Sequence, residues 1–416
     1  MKKLSGKVCS IPMLALAILL IMTSCQEKSV VANIKAEELF TLKYGLFENE
    51  LGFYPSMNTG NCTSAISMQD GFFNILDSNS LKVMNLNSYG DLLSIIYNKD
   101  TNPQPSFLSF SGISSQQDGI PTENATQRAT SYPFNRIGPM AVDTSQQLFV
   151  ADYLPQERYE TDPDTRMQLR QVILRFTAEG QYVDYIGQQG PGGSPFPYIR
   201  NIYTTGNNEM VAVCLTTEGS TVYWFSQDGF LKYMIPIKFS ALPVKQEDAS
   251  NDLFINLDSI IPDYKEQKLY VKIDYSHMDF DESSKVQSGI SYDKTLLYSL
   301  DINTGLYEDP LTIPAYEEII NSEYNRETHP IPYSFLGVTE TGWMFFSIAD
   351  DTGYTIMMVQ PNGQKILRRH LAVKTDDLVF YNMHLSKDGI ISMLLSSEDK
   401  TTVTWWRTDE IIQALN

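Results

Sequence analysis

An acidic segment in the second half of the chain carries the side chains best suited to hold a cation. Asp274, Asp279, Asp281 and Glu282 lie close together, and His277 lies among them. Calcium takes about six to eight oxygen ligands, which carboxylates supply readily. The segment lacks the regular spacing and the central glycine of an EF-hand loop. It therefore favours a solvated acidic loop over a calcium site.

Other residues that could support catalysis are few. The four histidines are His277, His329, His370 and His384, and no two have metal-ligand spacing. The chain contains no G-x-S-x-G, H-E-x-x-H, C-x-x-C or P-loop motif. The run from Gly190 to Pro195 is followed by neither a helix nor a lysine, which favours a strand connection over a phosphate-binding loop. The sequence therefore predicts no catalytic residue, no metal site and no cofactor, and it leaves the binding residues unassigned.

The N-terminal residues have the layout of an export signal. Three lysines precede an apolar stretch, residues 11–22, and two small residues then lead to Cys25. The apolar stretch is shorter than a membrane span, which needs about 20 residues.

The segment Met22-Thr23-Ser24-Cys25 resembles a bacterial lipobox, with Met22 in place of the usual leucine. The resemblance implies a diacylglycerol attached to Cys25 through a thioether. Residues 1–24 are then a signal peptide, residues 25–36 a lipidated tether and residues 37–416 the folded domain. The protein is expected at the cell envelope, anchored to a membrane by its lipid and facing the periplasm or the cell exterior. The alternative is an ordinary cleaved signal with an incidental cysteine.

The chain is strongly acidic, with a formal net charge of −19 that falls to −22 without the three lysines of residues 1–24. A phosphate backbone would be repelled by this charge, which excludes nucleic acid as an expected partner. Cys62 and Cys214 do not form a disulfide framework of the small secreted type, and a single bridge between them stays open. Cys214 lies in an apolar run and is predicted to be a small buried hydrophobe.

A repeat organises the rest of the chain. Short runs of β-branched and aromatic residues alternate with Gly, Asn, Asp and Ser, which is typical of all-β proteins. Six copies of one unit align on their turns, and the clearest turns end at Gly90 and Gly180. Glycine supplies the positive φ that hairpin turns need. Asp77 and Asp152 occupy equivalent places in two copies, where they either project toward a shared face or cap turns.

The turn pattern and the run Phe149-Val150-Ala151-Asp152 resemble NHL-type repeats. The whole chain is similar to bacterial six-bladed propeller lipoproteins, including an uncharacterised spirochaetal group. The resemblance implies an all-β fold, a six-bladed β-propeller with four-stranded antiparallel blades. Radial stacking of such units leaves only short exposed edges.

The sixth copy lacks an outer strand, and the strand-like segment from Glu38 to Tyr44 belongs to no other copy. This N-terminal strand is predicted to close the last blade, and residues 409–415 to form a terminal helix. Insertions occupy residues 98–136, 155–168, 274–293 and 308–332, and a helical turn is predicted at residues 316–320. Loops on a rigid scaffold commonly carry binding.

Two functions are consistent with these features. The first is a non-enzymatic binding or scaffold module that presents a propeller face and its loops to a protein, peptide or glycan. The second is a lactonase-like, metal-dependent propeller hydrolase, which needs carboxylates and amides on several innermost strands. The innermost strands that can be assigned, residues 140–142 and 335–338, are mainly apolar, which favours binding.

Overall fold

The computed structural model describes residues 31–53, 62–110, 127–243, 253–281, 283, 286–321 and 326–415. These residues form six small, mainly antiparallel sheets arranged in a ring, so the predicted six-bladed β-propeller is confirmed. The blades are numbered in chain order, and each consists of four antiparallel strands with up to one short strand added at the outer edge.

The strands are given from the innermost outwards. Blade one comprises Ala65–Gln69, Phe72–Asp77, Lys82–Leu86 and Leu92–Tyr97, with Arg128–Ser131 added in parallel. Blade two comprises Ile137–Val142, Leu148–Tyr153, Gln171–Phe176, Tyr182–Gly187 and the short Gly190–Pro191. Blade three comprises Tyr198–Thr204, Met210–Thr216, Gly219–Phe225 and Leu231–Lys238.

Blade four comprises Leu253–Pro262, Lys268–Phe280, Gln287–Asp301 and Leu311–Ile313. Blade five comprises Ser334–Val338, Met344–Asp350, Gly353–Val359 and Ile366–Ala372, with Ala32–Ile34 added in parallel. Blade six comprises Phe380–Leu385, Ile391–Ser396, Lys400–Trp406 and Ala36–Tyr44, with Glu50–Leu51 added in parallel.

Outside the blades lie two hairpins and a few short helices. The hairpins pair Glu160–Thr161 with Gln168–Leu169 and Tyr316–Asn321 with Arg326–Ile331. Within the described ranges, the α-helices are Ser106–Phe110 and Asp409–Gln413, and the 3₁₀-helices are Gln156–Arg158, Phe239–Ala241 and Thr375–Asp377. No helix in the described part of the chain is both long and apolar enough to cross a membrane.

The apolar core lies between the blades. Six clusters of buried side chains are present, and each combines residues of two neighbouring blades. Blade two shows why: Leu148 and Val150 pack toward blade one, whereas Phe149 and Ala151 pack toward blade three. Successive side chains of a strand point to opposite faces, so each blade buries both of its faces against its neighbours.

Two kinds of turn shape the blades. Glycines between the third and fourth strands of five blades have φ between +69° and +88°, as the repeat predicts; they are Gly90, Gly180, Gly229, Gly305 and Gly363. The turns after the innermost strands use a cap that the repeat analysis missed. Asp143 accepts hydrogen bonds from the Ser145 and Gln147 N–H groups. Equivalent caps are Thr205, Asp263, Thr339 and Ser386.

The N-terminal strand closes the ring as predicted. Ala36–Tyr44 is antiparallel to Lys400–Trp406, with Ala36 opposite Trp406. Ala32–Ile34, expected within a tether of residues 25–36, instead pairs with the outer strand of blade five. The terminal helix is present at Asp409–Gln413, where Ile412 is buried in the core between blades five and six.

Two insertions differ from expectation. Residues 274–293, expected as a loop, mostly extend the second and third strands of blade four into a long hairpin. The helical turn expected at residues 316–320 is wrong, because Tyr316–Asn321 pairs with Arg326–Ile331. Pairing across a hairpin here outweighs local helical preference. Cys62 and Cys214 are both free, and Cys214 is buried as predicted.

Strand direction divides the turns between the two faces of the ring. Turns between the first and second strands, and between the third and fourth, open on one face, which we call the tight-turn face. Turns between the second and third strands, and the connections between blades, open on the other, which we call the insertion face. Residues 155–168, the long hairpin of blade four and the hairpin of residues 316–331 all project from the insertion face.

Candidate binding channel

The innermost strands of all six blades enclose a channel with a cavity of about 680 Å³. This volume lies within the range of about 300–1,000 Å³ that small-molecule sites occupy. The wall is mixed in character. Apolar residues such as Met140 and Leu336 stand beside Ser67, Arg200 and Asn382. The expectation of mainly apolar innermost strands therefore holds for the two segments assigned from sequence and fails for the ring as a whole.

Four of the six innermost strands are bulged at the channel wall. The pairing register shifts by one residue at Pro139 in blade two, Arg200 in blade three, Asp258 in blade four and Leu336 in blade five. All four residues line the cavity. A bulge adds one residue to a strand and re-aims its side chain. The bulges thus present four side chains at equivalent places around the channel.

Arg200 is the unpaired cation of this set. It lies near the start of its strand, close to the insertion face, and its side chain is exposed. Among the described residues its side chain forms no hydrogen bond and has no carboxylate within 4.0 Å. The residues opposite its bulge, Val213 and Cys214, are buried and apolar.

Asp258, on the neighbouring blade, shares the Lys272 ammonium with Asp274. The Lys272 ammonium lies 3.1 Å from Asp258 and 2.8 Å from each carboxylate oxygen of Asp274. The Lys272 side chain is only 1% exposed. Asp274 also accepts a hydrogen bond from the Thr295 hydroxyl. Asp274 therefore belongs to a buried ion-pair cluster, and the solvated loop expected for it is wrong.

His384 and Asn382 join the innermost strands of blades six and one. Asn382 Oδ1 accepts the Ile66 N–H at 2.9 Å, and His384 Nδ1 accepts the Met68 N–H at 3.3 Å. Burial lowers the pKa of His384 to about 4, so the ring is neutral at pH 7. Its proton is then on Nε2, which lies 3.4 Å from Ser67 Oγ. An imidazole protonated at Nε2 cannot accept the Ser67 proton, so the two do not form a nucleophile–base pair.

The tight-turn end of the channel is acidic. Tyr264, from the first turn of blade four, lines the cavity there. Its pKa is raised to about 12, first by burial and then by the negative charge of carboxylates from four other blades: Glu340, Asp70, Asp143 and Asp388. Lys387 offsets part of this charge through an ion pair with Asp70 at 2.9 Å. The channel is therefore polarised, with Arg200 toward one end and carboxylates around the other.

The channel wall does not fit a divalent cation. Among the described lining residues, Asp258 supplies the carboxylate, and Lys272 already pairs with it. The Oδ1 of Asn382 and the Nδ1 of His384 are occupied by backbone N–H groups. No group of three His, Cys, Asp or Glu side chains that could hold a metal ion occurs in the described ranges. A lactonase-like metal site needs several convergent carboxylates and amides, and Asp258 is the one carboxylate among the described lining residues.

The other residues singled out from sequence lie apart from the channel. Asp77 caps the turn after the second strand of blade one, where it accepts the Asn79 and Ser80 N–H groups. Asp152 accepts the Asn135 and Arg136 N–H groups, and burial raises its pKa to about 6. Both carboxylates therefore accept hydrogen bonds from backbone N–H groups, as the turn-capping interpretation predicts for Asp77.

The remaining histidines lie on the insertion side of blades four and five. His277 Nε2 lies 3.6 Å from Asp293, His329 Nε2 lies 3.4 Å from Glu327, and His370 Nδ1 lies 3.8 Å from Asp350. Gly190–Pro191 forms a short edge strand of blade two, as expected of a connection. Cys25 lies outside the described residues, so its lipidation stays a prediction.

The long hairpin of blade four presents an apolar side on the insertion face. Phe254, Met278 and Ile290 project from one side of it, and His277 and Asp279 project from the other. Phe254 and Ile290 are both exposed. Exposed apolar side chains that lie next to each other often mark an interaction surface.

No protein-family profile matches the chain, and no curated protein matches it. Among solved structures it is similar to a gluconolactonase from Xanthomonas campestris, with 12% identity over 92% of this chain and 99% of that one and a TM-score of 0.39. It is similar to a streptogramin B lyase, with 12% identity over 89% and 97% of the two chains and a TM-score of 0.35. It is also similar to the β-propeller domain of the Trilobed protease from Pyrococcus furiosus, with 9% identity over 83% and 96% and a TM-score of 0.40. At these values the similarities carry no argument about activity.

Proposed function

We propose that this chain is a non-enzymatic binding module of the cell envelope, held at a membrane by a lipid on Cys25. Its partner is a protein, peptide or glycan that docks on the insertion face. The resemblance of residues 22–25 to a lipobox supports the anchor. The resemblance of the repeat to NHL-type propeller lipoproteins supports the same class of protein.

The placement of the insertions carries the proposal for the insertion face. In a propeller any turn can be lengthened without disturbing the blades, because the core lies between the sheets. Here two hairpins, the blade-four hairpin and the hairpin of residues 316–331, rise from the insertion face. The tight-turn face keeps short, capped turns. A rigid scaffold with loops concentrated on one face is the common arrangement of binding proteins.

The alternative, a lactonase-like metal-dependent hydrolase, receives no support from the geometry. The wall carboxylate Asp258 is tied to Lys272, and the neighbouring amide and imidazole acceptors are occupied. The Ser67–His384 contact has the wrong proton arrangement for general-base catalysis.

Site-specific photo-crosslinking of the full-length lipoprotein in intact cells tests the face. The photoreactive residue p-benzoylphenylalanine replaces Phe254 or Ile290 on the insertion face, which are 46% and 55% exposed. The matched controls are Tyr89 and Phe230, which are 83% and 64% exposed on the tight-turn face. We expect a discrete adduct from the insertion-face positions and none from the controls. Adducts from the controls alone would refute the assignment of the face, and no adduct from any position would refute a macromolecular partner.

A further inference from the structure

Among the described charged side chains of the channel wall, Arg200 is the one without an ionic partner. The guanidinium of Arg200 is exposed at the cavity wall and, within the described ranges, pairs with no carboxylate. The chain does pair an arginine where one stands beside an acid on adjacent strands. Arg175 contacts Asp184 through two bonds of 2.6 and 2.5 Å. In a chain of net charge −19, an arginine left free on a cavity wall is a feature that calls for a ligand.

The backbone aims Arg200 into the channel. Ile199 and Ile202 are both buried in the core between blades two and three, so the bulge between them turns Arg200 and Asn201 toward the cavity. The partner strand, Met210–Thr216, is apolar and buried over its first five residues. The side chain is thus positioned by a packed strand, and binding a ligand would not require the core to rearrange.

The surroundings select the charge and the direction of approach. Asp258 on the next blade forms no ion pair with Arg200; its carboxylate instead contacts Lys272, which it shares with Asp274. The carboxylates around Tyr264 make the tight-turn end repulsive to anions. An anion is therefore favoured at the Arg200 end and reaches it from the insertion face.

We propose that the channel binds a carboxylate-bearing ligand through a two-bond contact with the Arg200 guanidinium. The planar guanidinium matches the geometry of a carboxylate and stays charged at any physiological pH. Tyr198, two residues earlier and 43% exposed, offers an aromatic ring to the body of the ligand beside this contact. The cavity of about 680 Å³ admits a small organic acid or the last residues of a peptide with a free terminus. This inference rests on the proposed binding function and names the chemistry of its ligand.

The test measures binding to the full-length lipoprotein purified in detergent. The probes are succinate, citrate, glucuronate and acetylated alanine tripeptide, the last with either a free or an amidated C-terminus, each at up to 10 mM. Sodium sulfate at matched ionic strength is the control for screening. We expect at least one carboxylate to raise the melting temperature and to give a saturable heat in calorimetry. A response to the small acids indicates a free metabolite, and a response to the free but not the amidated tripeptide indicates a chain terminus.

Variants assign the effect to the arginine. Arg200→Gln should weaken binding of the responding probe at least tenfold. Arg200→Lys should give an intermediate loss, because the lysine ammonium keeps the charge but cannot form the two-bond contact. Arg128→Gln is the matched control, since Arg128 is an exposed arginine on the outer edge of blade one. Equal binding by wild type and Arg200→Gln overturns the proposal, and so does the absence of a response to every carboxylate.

The two experiments distinguish failure of the channel site from failure of the proposed function. Crosslinking from Phe254 or Ile290 with no carboxylate binding leaves the face intact and removes the channel site. Carboxylate binding that depends on Arg200, with crosslinking confined to Tyr89 and Phe230, would support the channel site and refute the insertion face as the docking surface.

Discussion

His384, on the channel wall, makes the free energy of unfolding depend on pH in the acid range. The folded pKa of His384 is about 4, below its ordinary value of 6.5, because burial disfavours the charged ring. Between pH 6.5 and 4 the unfolded chain binds a proton that the folded chain does not. The His384 contribution to the free energy of unfolding is therefore complete above pH 6.5 and is lost as the pH falls, by about 3 kcal/mol in all.

We expect His384→Gln to flatten the dependence of unfolding free energy on pH between 6.5 and 4, measured by urea unfolding at several pH values. Glutamine does not titrate and keeps an oxygen that can accept the Met68 N–H. Asp152 supplies the control of opposite sign. Its folded pKa of about 6 lies above the ordinary 3.8, so it stabilises the fold at low pH and loses that effect as the pH rises. Asp152→Asn should steepen the acid loss, and an unchanged slope in His384→Gln would contradict the assignment.

In the proposed function, Cys25 is the residue that holds the protein at the membrane. We expect the wild-type chain to incorporate labelled palmitate and to partition into the detergent phase, and Cys25→Ala to do neither. Cys62→Ala is the matched control, because Cys62 is free and lies in the folded part. Equal labelling of wild type and Cys25→Ala would remove the anchor from the proposed function.

The closing strand is the element on which the integrity of the ring depends. Leu42 in Ala36–Tyr44 is 3% exposed and packs in the core between blades six and one. We expect Leu42→Ala to lower the free energy of unfolding by about 2–4 kcal/mol, because it leaves a cavity at this joint. The neighbouring Thr41 is exposed, so Thr41→Ala should change it by about 0.5 kcal/mol or less. Equal unfolding midpoints of the two variants in urea would refute the packing argument.

The repeat made the strands predictable because it rests on local chemistry. Gly90 and Gly180 stand where the backbone needs positive φ, and that requirement is visible in the sequence. The closing strand was predictable because the sixth copy lacked an outer strand, which the segment from Glu38 to Tyr44 could supply. The blade-four hairpin was misread because its strands alternate acidic and apolar residues on an exposed sheet, so its charges suggested a loop.

The channel residues were harder to predict, because bulges break the two-residue period. In each bulged strand the residues that pack on one side are three positions apart, as with Ile199 and Ile202 or Leu257 and Ile260. An unbulged strand keeps a spacing of two, as with Ile66 and Met68. That spacing of three is the signal that could have located Arg200 and Asp258. The pairing of Asp274 with Lys272 depends on tertiary contacts and has no comparable signal.

At the scale of the whole molecule, the described fold is held by packing between blades and by ion pairs within it. A resident cation would stabilise the folded state by mass action, and chelation would then lower the melting temperature. Since the wall carboxylate Asp258 is paired with Lys272 and Asn382 Oδ1 accepts the Ile66 N–H, we expect EDTA to leave the melting temperature unchanged. Differential scanning calorimetry with and without EDTA checks this, alongside elemental analysis. A stoichiometric metal whose removal destabilises the protein would favour the hydrolase.

The strand pairing that completes blade six also constrains the order in which the chain can fold. The Trp405 indole N–H donates to the Glu37 carboxylate across 368 positions of the chain. A chain that emerges from a translocase N-terminus first must therefore keep the strand Ala36–Tyr44 without its partner Lys400–Trp406 until almost its last residues arrive. Contacts of such sequence separation form slowly, and an unpaired strand edge is prone to wrong association while it waits. A terminus tethered at the membrane would hold that strand near the exit site, so that the last blade is completed where the chain is delivered.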